Sequence, residues 1–375
     1  MLKVMTIAGT RPELIRLSRV IARLDATVDH VLVHTGQNYD YALNEVFFQD
    51  LGIRRPDHLL GVDTSSLGRV LGETLIRTEE VLLQEKPDAV LVLGDTNSCI
   101  AALMAKRMQI PVYHMEAGNR SFDENVPEET NRRMVDHVAD FNLAYTEHAR
   151  RNLLAEGAHP RRIIVTGSPM REVLDYYRPK IDASDILERV DVSEGHYFLV
   201  SAHRQENVDS PTRLSALLEC LVAVHQEWDL PVLVSTHPRT RKRIDALGGG
   251  VPRGIIFHEP FGFHDYNRLQ LASTCVLSDS GTIAEESSIL SFPAVTLRDS
   301  IERPEALDSG AIIMTGLDVE DVVPAVHLAI SSHREREQKH RAPIEYQIDD
   351  TSTRAVSFII STARRHASWA GLRVG

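Results

Sequence analysis

An apolar run, LKVMTIA over residues 2–8, leads directly into the turn GTRPE over residues 9–13. The aliphatic and β-branched residues predict a buried strand, the glycine allows a tight turn, and the proline suits the first turn of a helix. The same strand–turn–helix pattern recurs along the chain. Such alternation is typical of a parallel sheet covered by helices on both faces. The sequence therefore predicts an α/β fold.

Two series of strands are predicted. The first comprises residues 2–8, 30–35, 89–93, 112–115 and 163–166, and the second comprises residues 197–201, 232–235, 255–258, 276–278, 294–297 and 311–314. Each series predicts one doubly wound, Rossmann-like domain. The charged stretch 178–194 lacks a strand signal and indicates a linker. We expect domains over residues 1–180 and 195–350, and a C-terminal helix within residues 351–375 that packs back on the first domain.

Composition excludes several classes of function. The 375 residues carry 41 Lys and Arg against 53 Asp and Glu, a net charge of -12, without a basic run that could follow a nucleic-acid backbone. No stretch of the sequence reaches the roughly 18 apolar residues of a membrane span. The cysteines, Cys99, Cys220 and Cys275, lie far apart among apolar neighbours, which favours buried thiols. We expect a cytoplasmic protein that binds neither nucleic acid nor membrane.

Two carboxylates follow strands of the first series. Asp95 follows the run 89–93 after one glycine, Gly94, and Glu116 comes directly after the run 112–115. Because ligands of parallel sheets bind beyond the carboxyl ends of the strands, we expect both side chains at one ligand site. Placing two carboxylates together is costly unless their proton affinities are used, as in acid–base chemistry.

Further charged residues flank this pair. Arg11 lies in the first turn, and Glu128 and Arg132 lie one helical turn apart after Pro127. A solvated arginine and an ordinary helical ion pair would also account for them. Their position beside the Asp95 and Glu116 turns favours a place in the ligand site.

The turns of the second series suit a phosphate group. His203 follows the run 197–201, and the segment DSGTIAEE over residues 279–286 joins a strand to a helix. Hydroxyls, a glycine and free N–H groups at a helix start form an anion site, to which acidic and basic neighbours can add ribose and phosphate contacts. The candidate binding residues are Ser280, Gly281, Thr282, Glu286 and Arg303. A structural histidine and a simple helix cap are the alternatives.

Several familiar motifs are missing from the sequence. It has no HExxH, CxxC or DxDxDG spacing for a metal and no GxSxG turn for a serine hydrolase. The first turn is neither GxGxxG nor GxxxxGK. We therefore assign no metal and no nicotinamide cofactor.

Seven ordered motifs, GTRPE, GDTNS, HMEAGNR, PEETNR, SAHRQEN, DSGTIAEE and ERPEA, resemble those of the non-hydrolysing UDP-N-acetylglucosamine 2-epimerases. The resemblance implies two domains in the GT-B arrangement with an active-site cleft between them, a UDP-N-acetyl-amino sugar as substrate, no cofactor, and a homodimer. It implies catalytic roles for Asp95, Glu116, Glu128 and His203, of which His203 acts on the phosphate side. It places Arg11 and Arg132 in the cleft, Ser280, Gly281, Glu286 and Arg303 in the UDP pocket, and Tyr266 against uracil.

Finer features resemble one branch, the UDP-N-acetyl-L-fucosamine synthases of bacterial surface-polysaccharide synthesis. These are HTGQNYDYALNEVFF over residues 34–48, RSFDENVPEE over residues 120–129, and Arg16 where the common pattern has lysine. The branch implies inversion of C2 in UDP-2-acetamido-2,6-dideoxy-L-talose by elimination and re-addition of UDP. Residues 36–39, Gly-Gln-Asn-Tyr, depart from the usual Ala-Gln-His-Arg, so the resemblance does not imply allosteric binding of a second nucleotide-sugar.

Three alternative functions remain open from the sequence. One is interconversion of UDP-N-acetylglucosamine and UDP-N-acetylmannosamine by the same chemistry. A second is a GT-B glycosyltransferase, because a fold alone does not fix a function. The third is a nucleotide-sugar sensor without catalysis, which the retained carboxylates disfavour.

Overall fold

The computed structural model describes residues 1–36, 48, 50–236, 238–246, 250–336 and 342–372. The chain folds into two units, the first comprising Met1–Val173 and Ile348–Gly375 and the second comprising Leu174–Gln347. Residues 37–47, which hold most of the first branch-specific segment and the Gln37-Asn38-Tyr39 departure, lie outside the described residues.

The first unit is built on a parallel sheet with the strand order β3-β2-β1-β4-β5-β6-β7. Its strands are β1 Lys3–Ala8, β2 Asp29–His34, β3 His58–Leu59, β4 Ala89–Leu93, β5 Val112–Met115, β6 Phe141–Ala144 and β7 Ile163–Val165. Its helices include α1 Arg11–Thr27, α2 Leu67–Glu85, α3 Ala101–Arg107, α4 Pro127–Val138 and α5 Glu147–Ala155, with 3₁₀ turns at Asn97–Ile100 and Pro160–Arg162. Strands β4 and β5 are buried along their whole length, as a sheet covered on both faces requires.

The second unit repeats the architecture with the strand order β10-β9-β8-β11-β12-β13, again all parallel. Its strands are β8 Phe198–Ser201, β9 Val232–Ser235, β10 Ile255–His258, β11 Cys275–Ser278, β12 Ala294–Thr296 and β13 Ile313–Met314. The boundary between the units lies within helix α6, Met170–Asp182. The helices that follow are α7 Ile186–Arg189, α8 Gln205–Val208, α9 Pro211–Trp228, α10 Pro238–Ala246, α11 Phe263–Ala272, α12 Ile283–Leu290, α13 Pro304–Asp308 and α14 Val319–Arg336. The prediction of an α/β fold with two doubly wound parallel sheets is confirmed.

The first βα turn shows why the local sequence folds as it does. Thr10 is the extended residue before α1, and Pro12 lies in the first turn of the helix, where its missing N–H costs nothing. Leu14, Leu17 and Ile21 recur at helical spacing and are fully buried. This apolar face fixes α1 on the sheet and brings Arg11 to the carboxyl end of β1.

The C-terminal segment belongs to the first unit. It contains α15 Thr351–Thr362, the 3₁₀ turn Ala363–Arg365 and α16 His366–Trp369, and α15 packs against α1. The Thr351 hydroxyl donates to the carbonyl oxygens of Thr166 and Ser168, both at 3.1 Å. Farther along, His366 Nε2 lies 2.7 Å from Asp140 Oδ1 in the buried interior. Hydrogen bonds therefore join both ends of the C-terminal segment to the rest of the first unit.

The predicted strands agree with the observed ones to within two residues at each end. Two strands, β3 and β6, were not predicted. The first has only two residues, and the second, Phe-Asn-Leu-Ala, is short and interrupted by a polar residue, so neither carries a periodic signal.

Three further observations concern the described residues. Cys99, Cys220 and Cys275 are buried free thiols. None of the helices in the described ranges combines the length and apolarity needed to cross a membrane. Over the same ranges, no group of three or more His, Cys, Asp and Glu side chains is arranged to hold a metal ion.

Candidate active site

The first unit gathers its polar turns at one edge of the sheet. Strands β1, β4 and β5 are adjacent, and each ends in a turn that carries a residue singled out from the sequence. Chain order reverses between β1 and β4, because β2 lies on the other side of β1. In open parallel sheets, ligands bind at such a switch point. Arg11, Asp95 and Glu116 thus follow three neighbouring strands.

Asp95 forms an ion pair with an arginine of helix α4. Arg132 lies in α4 and is 4% exposed, and its two terminal nitrogens contact Asp95 and Glu129. Asn131 Nδ2 donates to the main-chain oxygen of Asp95 at 3.0 Å. Both the main chain and the carboxylate of Asp95 are therefore oriented by α4.

Glu116 adopts a left-handed backbone conformation, with φ of 66°, that is unusual for a residue other than glycine. Its carboxylate is buried and is paired with Arg16 of α1. A Cβ placed on Gly94 would lie 3.3 Å from Glu116 Oε2, so this carboxylate lies against the turn that carries Asp95. The expectation that the two carboxylates are close together agrees with this geometry.

Glu128 and its neighbour Glu129 occupy different environments in the first turn of α4. Glu128 is exposed, whereas Glu129 is 3% exposed and accepts hydrogen bonds from the Ser121 N–H and hydroxyl at 3.1 and 3.0 Å. Burial opposes ionisation of Glu129, but the hydrogen bonds from Ser121 and the charge of Arg132 lower its pKa. Sequence reasoning missed Glu129, although its spacing of three and four residues from Arg132 and Arg133 was a usable signal.

Glu13 is a second residue that sequence reasoning missed. It is 2% exposed and accepts hydrogen bonds from Gly9 N–H at 3.0 Å, from the Thr10 hydroxyl at 2.8 Å and from the Ser98 hydroxyl. Burial raises the pKa of Glu13 against these hydrogen bonds. Its carboxyl joins the turns after β1 and β4, while Arg11 in the same turn is exposed.

In the second unit, Asp279 organises the turn that carries His203. The buried Asp279 carboxylate accepts hydrogen bonds from the main-chain N–H groups of His203 and Arg204 at 3.0–3.1 Å and from Asn207 Nδ2 at 3.1 Å. The His203 side chain is 53% exposed, with Nδ1 3.6 Å from Asp279 Oδ1. Strands β8 and β11 are adjacent and flank the switch point of this sheet, so His203 lies where a ligand is expected.

The Ser280-Gly281-Thr282 turn lies between β11 and α12. The hydroxyls of Ser280 and Thr282 are 3.0 Å apart. Arg303 is 4% exposed, donates to the Gly281 carbonyl at 2.8 Å, and has Nε 3.1 Å from Glu285 Oε2. The structure thus places Arg303 beside the predicted anion-binding turn, where it supports the main chain.

The remaining predicted residues, Glu286 and Tyr266, lie nearby in the same unit. Glu286 is mostly buried and accepts a hydrogen bond of 2.6 Å from Gln270 Nε2. Burial raises the pKa of the Tyr266 hydroxyl, while hydrogen bonding with Ser201 and Ser278 opposes that change. Tyr266 therefore adjoins the ends of β8 and β11.

Sequence similarity to known proteins identifies the family of this chain. The model of the UDP-N-acetylglucosamine 2-epimerase family matches residues 22–360. This chain belongs to that family. The prediction of an isomerase that acts on UDP-sugars is confirmed, and the glycosyltransferase and sensor alternatives are not supported.

Individual members of the UDP-N-acetylglucosamine 2-epimerase family resemble the chain over almost its full length. The UDP-N-acetylglucosamine 2-epimerase structure from Rickettsia bellii superposes with a TM-score of 0.92 at 45% identity and covers 98% of both chains. The Methanocaldococcus jannaschii enzyme in complex with UDP-GlcNAc and UDP superposes with a TM-score of 0.88 at 34% identity over 96% of this chain and 100% of that chain. The UDP-2,3-diacetamido-2,3-dideoxy-D-glucuronate 2-epimerase of Pseudomonas aeruginosa is 35% identical over 334 residues, which cover 88% of this chain and 92% of that relative.

Proposed function

We propose that this epimerase inverts C2 of UDP-2-acetamido-2,6-dideoxy-L-talose to give UDP-N-acetyl-L-fucosamine for a bacterial surface polysaccharide. The observation that carries the proposal is the ion pair between Arg16 and Glu116. Arg16 is one of the residues by which the chain resembles the fucosamine branch, and here it contacts a proposed catalytic carboxylate. A difference between branches at this position would act directly on the chemistry at C2.

Relatives of this chain are named for different sugar substrates. The Methanocaldococcus jannaschii structure holds UDP-GlcNAc, whereas the Pseudomonas aeruginosa relative is named for a diacetamido-glucuronate sugar. These two relatives have 34% and 35% identity to this chain, so this level of similarity does not fix the sugar. Interconversion of UDP-N-acetylglucosamine and UDP-N-acetylmannosamine is therefore the alternative that the experiment must separate.

The proposed reaction begins with elimination. The C1–O bond breaks and its electron pair leaves with UDP, the C2–H bond breaks, and its proton passes to a carboxylate, which leaves a C1=C2 double bond. Re-addition of the UDP oxygen to C1 and protonation of C2 on the other face give the epimer. Since a C2 hydrogen beside an acetal carbon is weakly acidic, cleavage of C1–O runs ahead, and carboxylates stabilise the positive charge that develops.

We assign the carboxylate roles to Asp95, Glu116 and Glu128. Asp95 and Glu116 lie at adjacent strand ends, each in contact with an arginine. Glu128 is exposed and lies one helical turn before Arg132. Arg11 and Arg132 supply positive charge near the departing diphosphate.

We assign UDP binding to the turns of the second unit. Ser280, Gly281 and Thr282 offer hydroxyls and main-chain N–H groups, and we assign to the exposed His203 a hydrogen bond to a phosphate oxygen. Glu286 would accept hydrogen bonds from ribose, Tyr266 would face uracil, and Arg303 would support the pocket.

A substrate panel in D2O tests the proposal. The wild-type enzyme is incubated separately with UDP-2-acetamido-2,6-dideoxy-L-talose and with UDP-N-acetylglucosamine, and the products are followed by proton NMR. We expect the talose sugar to give an epimer with one deuterium at C2, at a higher kcat/KM than the glucosamine sugar. Preferred turnover of UDP-N-acetylglucosamine would establish the alternative instead.

A pair of variants of α1 sharpens the test. Arg16→Lys replaces a planar guanidinium, which can hold a carboxylate through two donors, with a point charge. We expect it to lower the preference for the talose sugar, because it changes how Glu116 is held. Arg19→Lys, one turn farther along the helix, is the matched control and should leave the preference unchanged.

A homodimer and a cytoplasmic location are also part of the proposal. Sedimentation of the purified enzyme would measure the first, and a monomer at working concentration would contradict it. Fractionation of the producing cells would measure the second.

A further inference from the structure

A row of buried charged side chains leads from the surface of the first unit to the turn after β4. It begins at Glu156 Oε1, which accepts from Arg120 Nε at 2.8 Å. Arg120 Nη1 donates to Asp136 Oδ2 at 2.7 Å, and Asp136 Oδ1 lies 2.8 Å from His114 Nδ1. His114 Nε2 lies 2.7 Å from the carbonyl oxygen of Gly94. The row therefore ends on the peptide that precedes Asp95.

The partners of His114 define the role of its Nε2. A backbone carbonyl has no proton to give, so Nε2 donates to the Gly94 carbonyl. Burial opposes ionisation of Asp136, but hydrogen bonding with His114 and the charge of Arg120 lower its pKa. His114 is 0% exposed, so the contacts of both its ring nitrogens lie in the protein interior.

The Gly94 peptide links this row to the candidate catalytic pair. Gly94 has a φ of 70°, its N–H donates to the Met115 carbonyl at 3.0 Å, and its Cα faces the Glu116 carboxylate. The hydrogen bond from His114 to the Gly94 carbonyl fixes the rotation of the peptide joining Gly94 to Asp95. That rotation sets the direction in which the Asp95 side chain leaves the main chain.

The same row holds the turn that carries Glu116. Gly118 N–H donates to Asp136 Oδ2 at 3.0 Å, and Arg120 Nη1 donates to the Asn119 carbonyl at 2.7 Å. A left-handed conformation at a residue such as Glu116 is unfavourable and persists only when its surroundings impose it. Asp136 and Arg120 supply such surroundings through their contacts with Gly118 and Asn119, which follow Glu116 by two and three residues.

We propose that His114, Asp136 and Arg120 are positioning residues, which fix the directions of Asp95 and Glu116 for proton transfer at C2. The inference rests on the proposed function of those two carboxylates. Buried ion pairs are weak sources of stability, and apolar residues can often replace them without loss. A row that contacts both catalytic turns instead gives a geometric reason for charged residues in the core.

The test compares His114→Gln with His366→Gln. Both remove a buried histidine that is hydrogen-bonded to an aspartate of the first unit, but His366 pairs with Asp140, whose carboxylate accepts from the Val112 N–H at the end of β5 opposite to Glu116. We expect His114→Gln to lower kcat on the order of 100-fold with KM nearly unchanged, because a small misplacement of a catalytic group has that effect. His366→Gln should keep kcat close to the wild-type value. Equal kcat values for the two variants would overturn the inference.

A second measurement uses the wild-type protein and does not depend on the variant folding. Nitrogen-15 NMR of the histidine rings should show a proton on Nε2 of His114, as the hydrogen bond to the Gly94 carbonyl requires, and an Nε2 without a proton would contradict the inference. If wild-type enzyme turns over no UDP-sugar, the proposed function fails by itself. Crystal structures of wild type and His114→Gln would then decide the positioning role, since an unmoved Gly94 peptide contradicts it.

Discussion

Arg132→Gln removes the side chain that joins Asp95 to Glu129. A charge-assisted hydrogen bond to a buried carboxylate contributes about 1.5–3 kcal/mol. Glu129 keeps its two hydrogen bonds from Ser121, so we expect a loss of about 2 kcal/mol in unfolding free energy, or about 4–8 °C in Tm for a unit of this size. Asp95 loses the contact that orients its carboxylate, so kcat should fall on the order of 100-fold.

The matched control for this prediction is Arg133→Gln. Arg133 is the next residue of the same helix and contacts the same Glu129 at 3.2 Å, but its side chain is 43% exposed. An exposed helical pair contributes about 0.3–0.5 kcal/mol, so the control should change both Tm and kcat little. Steady-state kinetics and thermal unfolding of both variants measure the difference. Equal loss of kcat in the two variants would refute the reasoning.

Three other predictions concern separate parts of the molecule. Glu116→Gln should lower kcat on the order of 100-fold while UDP affinity by calorimetry stays near the wild-type value, and full activity would contradict its catalytic role. Gly281→Ala should weaken UDP binding about tenfold or more, because the new Cβ would lie 2.9 Å from Arg303 Nη1; unchanged affinity would remove this turn from the UDP site. Burial opposes ionisation of Asp140, but hydrogen bonds from His366 and other donors lower its pKa. Its contribution to stability is therefore complete above the unfolded value of about 3.9 and is lost as the pH falls through the lower folded value, so urea unfolding of His366→Gln should show a shallower loss below about pH 4.

The sequence predicts strand ends better than it predicts side-chain partners. Asp95 and Glu116 could be placed together because each follows a buried strand, and adjacent parallel strands end at the same edge. Glu128 and Glu129 are consecutive in an acidic helix start, and only the direction in which α4 packs decides which of them is buried. That direction depends on tertiary contacts that no local pattern contains.

Buried polar contacts were harder to predict for the same reason. The sequence indicates only that Glu13 is an acidic residue in the first turn of a helix, which is common on a surface. In the structure its carboxyl joins the turn after β1 to the turn after β4. Arg303 reads as a phosphate ligand, and the structure adds contacts with the Gly281 carbonyl and Glu285 that only the folded turn brings within reach. His114 reads as an interior strand residue, and its two partners come from other elements of the unit.

The pairing of Arg16 with Glu116 also restricts how the proton can move. A guanidinium stays protonated throughout the pH range in which proteins are folded, so Arg16 supplies fixed charge and hydrogen bonds but no proton. A lysine at this position could give up its proton, and the arginine of this chain cannot. The proposed function therefore assigns proton removal from C2 and its return to the carboxylates, of which Asp95 and Glu116 lie at adjacent strand ends. In that proposal each of the two is oriented by its own arginine, Asp95 by Arg132 and Glu116 by Arg16.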